Sequence, residues 1–239
     1  MTEIRSFATS HSGAKRSYNE DAHVERPDIG LWAVADGAGG HQSGDVASGM
    51  IREALSSIPA GLNAAQLLAE ARARIAAVHD DLLDEAEKRG PDVVMASTVV
   101  VLLARGGHYA ALWAGDSRIY LLRAGALRQI TKDHSLVQEL VDAGEIPAEK
   151  AEQHPQANII TRAVGAGEEA LILDKAVGEL LPGDRFLLCS DGLSKCLPDE
   201  ETAALLGAPD GVAPTEMLVG AALARMASDN VTAVVVEVR

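Results

Sequence analysis

The sequence predicts an antiparallel α+β fold. Two patterns lead there. Strand-like stretches come in runs and helical stretches in pairs, unlike the strict strand–helix alternation of a doubly wound parallel sheet. Four strand-like stretches also carry an aspartate at one end: Asp36, Asp116 and Asp191 close theirs, and Asp229 opens the last. Hydrophobic residues fill 47% of the 239 positions, enough for a substantial core. Aromatics are only 3%, so that core must be built from Ala, Val, Leu and Ile. No low-complexity linker or internal repeat divides the chain, so one domain over residues 1–239 is expected.

In order, residues 4–9 read as a strand, followed by a polar turn over 12–21. Residues 31–35 form a strand and 37–44 a glycine-rich loop. Asp45 is placed as the cap of a helix reaching about residue 57. Asn63 caps a longer helix to about residue 88, with Leu67, Leu68, Ala71, Ile75, Val78, Leu82 and Leu83 at helical spacing. Gly90-Pro91 ends it. Strands over 94–104, 108–114 and 117–123 are expected to form a meander, with Gly106-Gly107 as the first hairpin turn. Residues 133–165 differ: they are polar and helical in pattern, and carry Pro147 and Pro155, which suits an excursion from the sheets, a flap. Strands return at 170–177 and 185–189, helices follow at 200–206 and 214–227, and a strand over 231–238 closes the chain.

A net charge of −14 argues against nucleic acid, which selects clustered Lys and Arg. Cys189 and Cys196 fit neither a disulfide framework nor a zinc pattern, and suit a reduced, cytoplasmic setting. The apolar run 93–104 is too short to span a bilayer, and the first residues lack a signal peptide's apolar core, so no membrane partner is expected.

A carboxylate at the end of an apolar strand is costly unless something positive meets it. Adjacent antiparallel strands run in opposite directions, so the four aspartates can converge on one sheet edge. Together they make a hard, oxygen-only site suited to Mn²⁺ or Mg²⁺. Competing sites fail. The dinucleotide fingerprint needs a glycine where Gln42 stands. No Gly-Lys-Ser/Thr follows for a P-loop, no Gly-x-Ser-x-Gly supplies a hydrolase serine, and the seven histidines lack paired zinc spacing. The remaining set is Glu20, Asp21, Asp36, Asp116, Asp191 and Asp229, with a carbonyl from Gly37. Two ions about 4 Å apart would acidify a shared water for in-line attack on phosphorus. Arg16 can bind phosphate bidentately beside them.

These residues lie in five segments: Arg16-Ser-Tyr-Asn-Glu-Asp21, Val34-Ala-Asp-Gly-Ala-Gly-Gly-His41, Gly115-Asp-Ser-Arg118, Ser190-Asp-Gly192 and Ser228-Asp-Asn-Val-Thr232. In wording and order they resemble the motifs of the metal-dependent type 2C serine/threonine protein phosphatases, over nearly the whole chain. Residues 132–140 and 158–165 bracket a stretch similar to the flap of bacterial members. The resemblance implies a four-layer αββα sandwich, two antiparallel sheets flanked by helix pairs, with a flap at about 133–165. It implies hydrolysis of phosphoserine and phosphothreonine by a hydroxide bridging two Mn²⁺ or Mg²⁺ ions. Asp36 would bridge both, Gly37 would ligate one through its carbonyl, and Asp191 and Asp229 would hold the other. Glu20 or Asp21 would act on the second ion, Asp116 with Asp191 matches a third, weaker site, and Arg16 matches the phosphate-binding arginine.

One position departs from the pattern. Many members carry a histidine after the Asp-Gly pair, proposed as general acid, and here that residue is Ala38; His41 is the nearest substitute, with a metal-bound water as the other. The resemblance further implies phosphorylated proteins as partners, among them a cognate Ser/Thr kinase and its substrates, and a monomeric cytoplasmic enzyme. The wording of residues 32–48 is also similar to phosphatases linked to type VI secretion. A phosphoprotein-binding scaffold without turnover, and a hydrolase of other phosphate esters, are the alternatives to be separated by assay.

Overall fold

The computed structural model describes residues 3–39, 43–167, 170–209 and 213–239. Eleven strands build two sheets among these residues, and every pairing between them is antiparallel. The first sheet runs β1 (Ile4–His11), β11 (Val231–Val238), β10 (Arg185–Cys189), β7 (Arg118–Arg123) and β8 (Ala126–Gln129). The second runs β2 (Asp21–Arg26), β3 (Leu31–Ala38), β5 (Val99–Arg105), β6 (His108–Ala114) and β9 (Asp174–Glu179), with the short β4 (Ala96–Ser97) also on β3.

Strand alternation explains the layers. Along β3, Trp32 and Val34 face the other sheet, where they meet Leu188, Val234 and Val236 in one buried cluster. Leu31, Ala33 and Ala35 face the opposite way and pack with α1 (Ser43–Ser56) and α2 (Ala64–Arg89). The first sheet does the same: Phe186 and Leu188 face inward, while Leu187 and Cys189 pack on α5 (Asp199–Leu206) and α6 (Pro214–Ala224). With both faces of each sheet covered, β5, β10 and β11 carry unbroken apolar runs, over residues 99–104, 186–189 and 233–236, rather than alternating. The result is helices, sheet, sheet, helices, the layering that the resemblance implies.

Several local expectations are corrected. The polar turn gives way to β2 at Asp21, an edge strand with only Ala22 and Val24 buried. Asp45 lies in the first turn of α1, which already starts at Ser43, so it is not the cap. Thr98 separates β4 from β5 where one strand was expected, β9 starts later, at Asp174, and α6 stops at Ala224. The three-strand meander is split: β5 and β6 are a hairpin, but β7 belongs to the other sheet. The crossing is made at Gly115, with φ +109°, where a Cβ would sit 2.6 Å from the Thr98 side chain. Asn63 caps α2 as expected, in a capping box with Gln66.

In the segment 133–165, Ser135 caps α3 (Leu136–Asp142), a 3₁₀ turn covers Ala148–Lys150, and single bridges join Ser135 to Ile160 and Ser97 to Val164. Arg118 grips Asp133 through Nε and Nη2 at 2.8–3.1 Å, fixing where the segment leaves the sheet. Among the described residues no helix is long and apolar enough to cross a membrane.

Candidate functional site

The carboxylates gather at one end of the sandwich, but on facing edges of two sheets rather than on a single edge. Asp21 and Asp36 are direct cross-strand partners on β2 and β3. Asp191 follows β10, and Asp229 precedes β11, in the other sheet. Asp116 sits in the crossing between them, one residue after Gly115. Two like charges opposite each other in a ladder repel, so the register pair alone marks this end as costly.

Asp21 ties the two sheets together. Its Oδ2 accepts hydrogen bonds from Ser190 Oγ at 2.8 Å and Thr232 Oγ1 at 2.6 Å, both on the opposite sheet's strand ends. Its Oδ1 is buried without a hydrogen-bond partner, and so is Oδ1 of Asp116. Burial pushes Asp21 up to about 7, against the pull of the two hydroxyls, with Asp191 and Asp229 pushing the same way. Burial also lifts Asp36 well above the usual carboxylate range, helped by the charges of Asp21, Asp191, Asp116 and Asp229. Asp116 is raised to about 6 by burial and by Asp191, with Lys195 opposing. Strands far apart in sequence have therefore brought five carboxylates within mutual electrostatic reach.

The surrounding backbone is held by side chains. The Asp36 N–H donates to Thr98 Oγ1 at 3.2 Å, and its carbonyl accepts from Ser97 Oγ at 3.0 Å and the Thr98 N–H at 2.9 Å. Gly37 donates to the Glu20 carbonyl at 3.1 Å; a Cβ there would lie 2.2 Å from the Gly44 carbonyl oxygen, so only glycine fits. Asn230 holds the 12–20 turn: its Nδ2 donates to the carbonyls of Ser12 and Tyr18, and its Oδ1 accepts from the Glu20 N–H at 2.8 Å. Arg16 lies on this turn, half exposed, and donates to Asp229 Oδ2 at 2.8 Å. Lys195 donates to Asp191 Oδ2 at 2.5 Å.

Nearly all the expected site residues thus meet. Arg16, Glu20, Asp21, Asp36, Gly37, Asp116, Asp191 and Asp229 are at this end, whereas His41 lies outside the described residues. As the side chains stand, no three His, Cys, Asp or Glu side chains among the described residues form a closed ion cage. Arg16 and Lys195 hold Asp229 and Asp191, and two hydroxyls hold Asp21. The donor set still fits a divalent cation: it is oxygen-only, anionic, and includes two buried carboxylate oxygens with nothing to bond. Sequence reasoning missed Ser190, Thr232, Asn230 and Lys195. The first three stand inside the quoted motifs, beside the aspartates, and Lys195 is one helical turn after Asp191.

The Protein phosphatase 2C family profile matches residues 9–215. The chain belongs to the protein phosphatase 2C family. It is 39% identical over 236 residues to the Mycobacterium tuberculosis serine/threonine protein phosphatase PstP, covering 98% of this chain and 45% of that protein. The chain therefore spans about half the length of that curated relative. Among solved structures it is similar to PppA, a key regulatory component of T6SS in Pseudomonas aeruginosa, with a TM-score of 0.90 and 45% identity over 99% of this chain and 98% of that one. It is also similar to the catalytic domain of PstP in complex with two manganese ions, with a TM-score of 0.84 and 37% identity over 100% of this chain and 99% of that one. The fold and layering are those of this phosphatase family.

Proposed function

We propose that this chain is one catalytic domain that hydrolyses phosphoserine and phosphothreonine in proteins, using two bound Mn²⁺ or Mg²⁺ ions. The observation that carries the reading is the meeting of Asp21, Asp36, Asp116, Asp191 and Asp229 from both sheets, with two buried carboxylate oxygens unbonded. Family membership supports the chemistry to which that meeting is put.

Asp36 would be shared by the ions, with the Gly37 carbonyl on one and Asp191 and Asp229 on the other; Glu20 or Asp21 completes the set. Bound there, the ions supply Lewis-acid stabilisation of phosphoryl charge and acidify a water. The protein's own residues do the rest. Ser190 and Thr232 keep Oδ2 of Asp21 occupied, which leaves Oδ1 as its reactive face. Asp21 and Asp36 give up their protons on loading, because burial holds them above the usual carboxylate range beforehand. Arg16 is half exposed, and would exchange Asp229 for a substrate phosphate, which its guanidinium can grip with two N–H groups. The leaving alkoxide takes its proton from His41 or from water, since Ala38 has none to give. A cavity of about 290 Å³ between Asp116, Lys195 and the flap residues Gln153 and Asn158 offers room for the peptide beside the phosphate.

The physiological reading follows the relatives. A cytoplasmic enzyme reversing a Ser/Thr kinase, in a signalling role connected with type VI secretion, suits the 45% identity to PppA. The test is release of inorganic phosphate from phosphoserine and phosphothreonine peptides. Turnover should vanish with chelator, return with Mn²⁺ and be lost in Asp36→Asn and Asp191→Asn. Phosphopeptide binding without release would make the chain a scaffold instead.

A further inference from the structure

Lys195 leaves the end of α4 (Asp191–Ser194) and turns back onto the carboxylates. Its Nζ is 2.5 Å from Asp191 Oδ2 and 3.5 Å from Asp116 Oδ2, and it donates to Asn158 Oδ1, on the flap, at 2.9 Å. An ammonium has three N–H donors, and three acceptors surround this one. Its side chain is only 32% exposed, and it lines the cavity between Asp116 and the flap.

Asp116 and Asp191 are the two residues to which the resemblance assigns a third, weaker ion. We propose that in this chain the Lys195 ammonium takes the place of that third divalent ion, neutralising Asp116 and Asp191 and fastening the flap at Asn158. The inference rests on the phosphatase reading, which supplies the other two ions. A divalent ion held by the same two carboxylates would stand within a few ångströms of the ammonium, and like charges that close repel strongly in a partly buried site. Lys195 engages Asp191 through Oδ2, so the other oxygen of Asp191 stays available to the pair of ions. It reaches the flap as well, so removing it should both open a cation position and loosen the segment above it. Lys195 touches neither water nor phosphate in this scheme; it is a positioning residue.

The experiment counts Mn²⁺ bound per chain, by equilibrium dialysis and metal analysis over a millimolar range of free Mn²⁺. Wild type is compared with Lys195→Gln and Lys195→Ala, and with Lys195→Arg as the conservative control. Wild type and the arginine variant should bind two ions, and the glutamine and alanine variants three. In the chelated proteins, amide exchange around Asn158 should speed up by roughly threefold to tenfold in the glutamine and alanine variants, the loss of one hydrogen bond. Equal ion counts in all four proteins, three ions in wild type, or unchanged flap exchange would overturn the proposal. Wild type binding no Mn²⁺ would overturn it together with the phosphatase reading.

Discussion

Asp21 shows how one side chain carries the cost of the site. It faces Asp36 across a strand pair, and its carboxyl is bonded on one oxygen and bare on the other. The two hydroxyls are the support: Ser190→Ala or Thr232→Ala should weaken Mn²⁺ binding by about 10–100-fold, measurable by calorimetry. The proton balance is a second handle. The folded-state value, about 7, lies above that of the unfolded chain, so the fold favours the protonated carboxyl. Asp21 therefore favours folding below the ordinary carboxylate range, and that contribution is lost as pH rises through about 7. Chelated Asp21→Asn, which mimics the neutral form, should be more stable than wild type at pH 8, with the gap closing toward pH 4. Urea denaturation at the two pH values checks the sign. Asp36, Asp116, Asp191 and Asp229 were legible as site residues because each stands beside a turn former at a strand end. Ser190 and Thr232 were not, since a hydroxyl in a strand has many uses and only the folded geometry aims these two at Asp21.

At the scale of elements, the site depends on where strands end and how the flap departs. Arg118 and Asp133 are both largely buried, and Asp133 also accepts from Gln129. Asp133→Ala would leave the Arg118 guanidinium in the interior with only Tyr120 Oη as a side-chain partner, and should cost about 3–5 kcal/mol in urea denaturation. Gly37→Ala should abolish Mn²⁺ binding, because the added methyl meets the Gly44 and Glu20 carbonyls and pushes the ligand-bearing strand from the first turn of α1. Strands buried on both faces were plain in the sequence: β5, β10 and β11 each contain an apolar run of four or more residues, and the Gly106-Gly107 turn fixed one hairpin. Of the four edge strands, β1 and β9 were read, at 4–9 and 170–177, but β2 and β8 were hidden. β2 buries two residues of six, and none of the four in β8 is buried, so neither has a hydrophobic pattern to read. The placing of β7 in the first sheet, away from β5 and β6, was invisible for another reason: sheet membership is decided by partners 61 or more residues away, such as Leu122 with Arg185 or Asp184 with Arg123.

Across the whole molecule, two sheets each supply half of a site that neither could form alone. Ions bound to both halves should therefore stabilise the sandwich itself. At free Mn²⁺ a hundredfold above its dissociation constant the gain is about 2.7 kcal/mol, seen as a raised Tm that chelator reverses. Magnesium should act likewise at higher concentration. An antiparallel α+β arrangement was predictable from strands in runs and helices in pairs, whereas the four-layer sandwich was implied only by the resemblance of the motifs. The convergence of the carboxylates was predictable only in outline: the aspartates were expected on one edge and instead close a gap between two.

Crystals grown with Mn²⁺ and measured at its absorption edge test the central claim most directly. Two anomalous peaks should appear at the junction of the sheets, both touching Asp36, with Asp191 and Asp229 on one of them. Peaks confined to other surfaces, or a junction still bridged only by Arg16 and Lys195 at saturating Mn²⁺, would contradict it.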